Sequence, residues 1–286
     1  MQAHPHALDQ HILFNDAFLQ DPYAAYRELR ADGPVVRLHN AHTFAILGHD
    51  EAQTALKDAQ RFSSNRLEVA RKRINAPHLK PLLDTLCQLM LQRDDPDHRR
   101  LQRLVHHAFQ RTAVAHYESR IRELASDLLA NAVRTGRMEF VADFAVPLPI
   151  LVISEIVGIP PEDRAAVKRW CDAFSMVALN FYGSISDDAL EAGCAAVMEF
   201  ETYLEKRIEA VKANPDGSLL SALVAAEEDG ERLSRDELVA NVLLLLNAGN
   251  ETTSILLTNA CHRFVREGLF PSLRADPSLL PAALEE

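Results

Sequence analysis

The sequence predicts a mainly α-helical fold with a small β portion. Apolar residues recur at helical spacing from Asp50 onward, and one late segment joins a helix-start signature to a long apolar run. Strand-like character is confined to one short early stretch. With 286 residues, 48% hydrophobic and 25% charged, the chain has enough apolar material for a large core. No internal repeat or low-complexity linker divides it, so residues 1–286 read as one domain, with a hairpin region over 21–50 and a helical body over 50–286.

Met1 to Gln10 lacks the basic start and apolar stretch of a signal peptide, so a cytoplasmic protein is expected. Asp21-Pro22 supplies an N-cap and a first-turn proline, Tyr23, Tyr26 and Leu29 fall on one face, and Gly33-Pro34 closes that helix. Val35 to Leu38 and Thr43 to Leu47 read as a hairpin joined by His39 to His42. The basic stretch Arg66 to Lys80 reads as a solvated loop or irregular helix.

Val114, Tyr117, Ile121, Leu124 and Leu128 then mark one face of a helix. Further helices are predicted over Pro147 to Val157, Pro161 to Leu179, Leu190 to Val211 and Leu219 to Glu227, with breaks at Gly158-Ile159-Pro160 and Asn214-Pro215-Asp216-Gly217.

Charge and cysteines exclude several classes. Thirty Lys+Arg against 41 Asp+Glu give a net charge of -11, the wrong sign for binding nucleic acid or an anionic membrane. Cys87, Cys171, Cys194 and Cys261 show no C-x-x-C spacing, so neither a zinc site nor a disulfide scaffold is indicated. The strongest apolar run, Leu238 to Leu246, is interrupted by Asn241 and falls short of the roughly 18 residues a membrane span needs.

The most informative passage runs over about 234–266. Ser234-Arg235-Asp236-Glu237 is a capping box, Leu233 and Leu238 form the matching staple, and Gly268 offers a left-handed exit. A helix on the order of 50 Å follows at 1.5 Å per residue. Val242 to Leu246 is apolar all round and should be buried. Into this stretch the sequence puts Asn247, Ala248, Gly249, Asn250, Glu251, Thr252 and Thr253.

Gly249 costs about 1 kcal/mol of helix propensity, and a buried carboxylate needs a partner. Two arrangements satisfy this pattern. In one, Thr252 bonds back to the Ala248 carbonyl and the glycine lets the helix bend or open around a ligand, making a groove with a proton-carrying pair on its wall. In the other, Gly249 is a close helix contact while Glu251 and the threonines face solvent.

Ala248-Gly249-Asn250-Glu251-Thr252-Thr253 in the middle of a long helix resembles the oxygen-binding helix of the cytochrome P450 family. Asp21-Pro22-Tyr23 with its hairpin, Arg61-Phe62-Ser63-Ser64, and Asp94-Asp95-Pro96-Asp97-His98-Arg99-Arg100-Leu101 are similar to segments of soluble bacterial members, in the same order. The resemblance implies an incomplete P450-like helical prism and, if completed, insertion of one oxygen atom from dioxygen into a small lipophilic substrate. The implied cofactor is haem and the implied electron donor a ferredoxin-type protein.

By the same resemblance Thr252 hydrogen-bonds to iron-bound dioxygen, Glu251 relays protons, Ala248 and Gly249 border the cofactor, and His98 is directed to a haem carboxylate. The family's arginine four residues after that histidine is Gln102 here, with Arg103 one place further on. Ser63 to Met90 and Phe174 to Phe181 correspond to parts lining the substrate chamber.

No cysteine here has the Gly-rich flanks of the family's iron ligand, and Ala283-Leu284-Glu285-Glu286 resembles the lead-in to its Glu-x-x-Arg motif without the Arg. A chain cut short before its iron ligand, and inactive alone, is therefore expected. The alternatives are a non-catalytic helical remnant or partner-binding fragment, and a metalloprotein using His98, His106 and His107 or His39, His42 and His49.

Overall fold

The computed structural model describes residues 18, 20–38, 43–65, 79–111, 117–180, 186–228 and 230–285. His39 to His42, most of the basic stretch after Ser64, Val114 and Phe181 lie outside the described residues. The chain divides into two compact units, Met1–Ser64 and Asn65–Glu286.

In the first unit, helix α1 (Pro22–Arg30) starts on Asp21, whose carboxylate accepts from the backbone N–H of Tyr23 and Ala24 at 3.1 and 3.2 Å. Of the three residues expected on its inner face only Leu29 is buried; Tyr23 and Tyr26 are exposed and meet edge to face. Strands β1 (Val35–Leu38) and β2 (Thr43–Ile46) pair antiparallel, Val35 opposite Ile46 and Leu38 opposite Thr43. The second strand stops one residue earlier than predicted: Leu47 still donates to the Pro34 carbonyl at 2.7 Å, but the proline opposite has no N–H to return. Helix α2 (His49–Lys57) completes the unit.

The second unit is a helical body: α3 (Lys80–Cys87), α4 (Asp97–Arg111), α5 (Tyr117–Thr135), a π-helical turn (Val141–Ala145), α6 (Pro147–Val157), α7 (Arg164–Asn180), α8 (Asp187–Ala213), α9 (Leu219–Ala225), α10 (Arg235–Arg266), α11 (Phe270–Ala275) and α12 (Leu280–Glu285). Gly158 ends α6 in the left-handed region (φ 92°) as its place in the sequence predicts. The predicted end of α9 at Glu227 is wrong. The helix stops at Ala225, and Glu227–Glu228 pairs with Glu231–Arg232 across an Asp-Gly dipeptide, with Gly230 at φ 80°.

Helix α10 spans 32 residues, about 48 Å at 1.5 Å per residue. The capping box is present in both directions: Ser234 Oγ accepts from the Glu237 N–H at 3.2 Å and Glu237 Oε2 accepts from the Ser234 N–H at 2.8 Å. At the far end Gly268 adopts φ 66° and the Leu269 N–H reaches back to the Phe264 carbonyl at 2.9 Å. Leu238, Val239, Val242, Leu243 and Leu246 enter the core with Leu82, Leu86, Phe200, Leu204, Leu219 and Leu220. Trp170 of α7 packs on Phe200 and Tyr203 of α8, with ring centroids 5.5 and 5.0 Å apart.

Of the buried polar residues of α10, Glu237 and Asn241 lie in its first two turns, and both are tied to other elements. Asn241 donates to the Gln88 carbonyl at 3.2 Å and the Glu237 carbonyl at 2.7 Å, and accepts from the Met90 N–H at 3.0 Å. It thereby ties the end of α3 to α10 and accounts for the polar interruption of the apolar run. Glu237, besides capping, pairs with Arg100 of α4 through both carboxylate oxygens. Burial pushes the Glu237 carboxyl up, but the hydrogen bonds from Arg100 and Ser234 outweigh it and hold the group below its ordinary value of 4.5.

A folded-state pKa below the unfolded one stabilises fully above 4.5, and that stabilisation is lost as pH falls through the lower folded value. The thermal midpoint should therefore fall as the pH is lowered below 4.5, less steeply in Glu237→Gln than in the parent. Glu237→Ala, which removes both the capping carboxylate and the partner of the half-buried Arg100, should cost about 1–2 kcal/mol in denaturant unfolding at neutral pH.

Candidate functional site on the long helix

The segment from Asn247 to Ser254 runs as uninterrupted α-helix, so the opening expected at Gly249 is not formed. Its residues face three ways. Asn247, Asn250 and Ser254 are buried, Gly249 and Glu251 are half-buried, and Ala248, Thr252 and Thr253 are exposed. The expectation that the entire segment is buried therefore fails on the Ala248 and Thr252 side. The residues surrounding α10 come from α3, α6, α7, α8, α9 and the π-helical turn, which pack on its other sides.

Gly249 is turned to α6. A Cβ built there would lie 3.0 Å from Ile153 Cγ1 and 3.1 Å from Cδ1, so the room left by the missing side chain is taken up by Ile153. Thr252 Oγ1 donates to the Ala248 carbonyl at 2.6 Å, the back-bond expected from its position. Ser254 and Thr258 repeat this bond, to Asn250 and Ser254, both at 2.8 Å.

Glu251 points away from Thr252, toward α7. Ser175 Oγ lies 2.9 Å from Glu251 Oε2 and 2.7 Å from Asn247 Oδ1. These groups line a cavity of about 480 Å³ with Lys168, Asp172, Met176 and Asn250. The Asn250 Oδ1 is buried without a partner. Sequence reasoning missed Ser175, because nothing in the spacing of α7 shows which of its residues will meet α10.

His98 sits in the first turn of α4, half-buried, with Nδ1 3.8 Å from Asp95 Oδ1. Gln102 and Arg103 are both exposed. Through the Arg100–Glu237 pair the start of α4 is held at the first turn of α10, about 22 Å along the axis from Thr252 at 1.5 Å per residue. The fold thus gathers Ala248, Gly249, Glu251 and Thr252 on one helix and sets His98 apart from them.

Ala248, Thr252, Ile255 and Leu256 form an exposed strip within an arc of roughly 100° on α10, with Ile255 53% and Leu256 51% exposed. Apart from the threonine hydroxyl this strip is apolar. Cys171 is buried, and burial with the adjacent Asp172 charge pushes its thiol up to about 12, so no thiolate forms there at neutral pH. Cys194 is buried and raised by burial as well. Cys261 is on α10 itself, nine residues beyond Thr252. Among the described residues no group of histidine, cysteine and carboxylate side chains is arranged to hold a metal ion, and no helix is long and apolar enough to cross a membrane.

The architecture is a helical body crossed by one long helix that carries an acid and an alcohol side by side at its middle. The family model described as Cytochrome P450 matches residues 164–266. A cytochrome P450 of Bacillus subtilis is 34% identical over 283 residues, covering 98% of this chain and 67% of the relative. The cytochrome P450 monooxygenase PikC of Streptomyces venezuelae is 35% identical over 291 residues, covering 99% and 66%.

Among solved structures, P450BioI in complex with a hexadec-9Z-enoic acid-ligated acyl carrier protein superposes with a TM-score of 0.84 at 30% identity, covering 94% of this chain and 68% of that one. This chain belongs to the cytochrome P450 family. It spans about two thirds of the length of these relatives. The family is haem-dependent.

Two measurements check this geometry. Gly249→Val should cost about 2 kcal/mol by overpacking against Ile153, read as a lower urea midpoint, whereas a glycine in open space would tolerate valine at the helix-propensity level alone. Iodoacetamide at neutral pH should leave Cys171 unmodified in the folded chain and label it on denaturation, read by peptide mass.

Proposed function

We propose that these residues form the oxygen-side wall and proton-delivery apparatus of a haem-thiolate monooxygenase acting on a small lipophilic substrate, with electrons from a ferredoxin-type donor. The supporting observation is that one helix turn presents a hydroxyl, Thr252, to the exposed apolar strip and a carboxylate, Glu251, to a cavity on its other side. Haem, when bound, supplies the iron chemistry that activates dioxygen. The residues of this chain do the rest on their side.

Ala248, Ile255 and Leu256 exclude water from the strip. Thr252 turns its hydroxyl from the Ala248 carbonyl to a partner on that face. Glu251 holds a proton at Oε2 and passes it around the helix. His98 helps to hold a haem carboxylate, with the neutral Gln102 in place of a guanidinium.

In this reading the four cysteines here are ordinary thiols and none is the axial thiolate, which makes the chain inactive alone. The cytoplasm is the compartment that fits its free cysteines. A second reading, a helical fragment covered by a partner protein, draws support from the exposed Ile255, Leu256, Val265 and Phe270.

Haem titrated into the present chain, reduced and exposed to carbon monoxide, should show no thiolate-type Soret band; such a band would overturn the assignment of the cysteines. In a chain extended to the length of its relatives the band should appear. There Glu251→Gln and Thr252→Ala should each lower product formed per electron consumed, Glu251→Gln also cutting turnover about 100-fold. Full activity in both variants would refute their roles.

A further inference from the structure

Ser175 poses a proton-counting problem. Its hydroxyl oxygen lies within hydrogen-bond distance of two acceptors, Asn247 Oδ1 at 2.7 Å and Glu251 Oε2 at 2.9 Å, yet it has one proton to donate. Two arrangements make both contacts strong hydrogen bonds, because a neutral carboxyl accepts from the serine more weakly than a carboxylate does. With Glu251 protonated, its carboxyl donates to Ser175 Oγ and the serine donates to Asn247 Oδ1. With Glu251 ionised, the serine donates to the carboxylate and Asn247 must turn its amide over to offer N–H to Ser175. The amide oxygen and nitrogen occupy equivalent places, so this exchange needs only a half-turn of the amide.

We propose that Ser175 is a positioning residue that reverses its hydrogen bond with the charge of Glu251, so that the Asn247 amide follows the proton, and that this proton enters from the α7–α10 cavity. The proposal rests on the reading of Glu251 as a proton carrier. The cavity, about 480 Å³, also holds the buried Asn250 Oδ1, an unpartnered acceptor for water entering from solvent.

Its other walls bring Lys168 and Asp172 of α7, paired with each other at 2.6 Å, and the apolar Val146, Met176 and Ile255. Cys171 on α7 lies close enough to feel the Glu251 charge. In the step, an O–H bond of a cavity water breaks as the O–H bond at Glu251 Oε2 forms, and the water is re-protonated from solvent. Ser175 and Asn247 exchange donor for acceptor without losing a hydrogen bond. Neither protonation state then leaves the Ser175 hydroxyl without a donor and an acceptor.

The test uses the present chain without haem. Side-chain amide resonances of ¹⁵N-asparagine-labelled protein are followed with pH, the Asn247 pair assigned by its disappearance in Asn247→Ser. The Glu251 carboxyl is followed by the infrared bands that Glu251→Gln removes. Movement of the Asn247 amide in step with the Glu251 band, loss of that coupling in Ser175→Ala, and its return in Ser175→Thr support the proposal. An Asn247 signal that stays still while Glu251 titrates, or that moves identically in Ser175→Ala, overturns it. If Ser175→Ala does not fold, Glu251→Gln must freeze the Asn247 signal at all pH values, and continued movement there overturns the proposal equally. These outcomes are independent of whether the chain binds haem, so failure here leaves the monooxygenase reading standing, and a negative carbon monoxide spectrum leaves this one standing.

Discussion

The register of the body along α10 is set by polar ties at Glu237, Asn241, Asn247 and Glu251. Apolar packing is tolerant of sliding, since one leucine row fits a groove nearly as well as the next, whereas a buried polar group left without its partner costs about 1–3 kcal/mol. Arg100 meets Glu237, the turn after α3 meets Asn241, and Ser175 meets Asn247 and Glu251. Each tie pins a different element to a fixed place on the rod. The position of Glu251 relative to the cavity is therefore a consequence of where α7 is held.

Much of this was legible in the sequence wherever the cause is local. Asp21, the Ser234–Glu237 capping box, Gly158 and Gly268 act on backbone groups within a few residues, and each does in the structure what its type and position require. The long-range ties were not legible. Asn241 was visible as an interruption, but its partners are about 150 residues earlier in the chain. Arg100 reads as one basic residue among several until α4 is laid across the start of α10. Glu227 read as helix because it continues an apolar-polar pattern, and the hairpin dipeptide after it prevailed.

The candidate site divides in the same way. The Thr252 back-bond follows from helix geometry and was predicted. The orientation of Glu251 toward Ser175 depends on the placement of a second helix, and Gly249 answers to the bulk of Ile153 on a third. The acid and the alcohol are neighbours in sequence but about 100° apart around the helix, so they address different surroundings. That separation lets one carry a charge beside a polar cavity while the other sits at an apolar surface.

The 2.6 Å bond between Thr252 and the Ala248 carbonyl has a selective effect. A hydroxyl already engaged within its own helix is available only to an acceptor stronger than a peptide carbonyl, or to one that offers a bond in return. An acceptor bearing negative charge meets that condition, since hydrogen bonds to ionised groups are roughly twice as strong as neutral ones. The back-bond thus sets what an incoming acceptor must outbid before Thr252 turns from the carbonyl one turn before it.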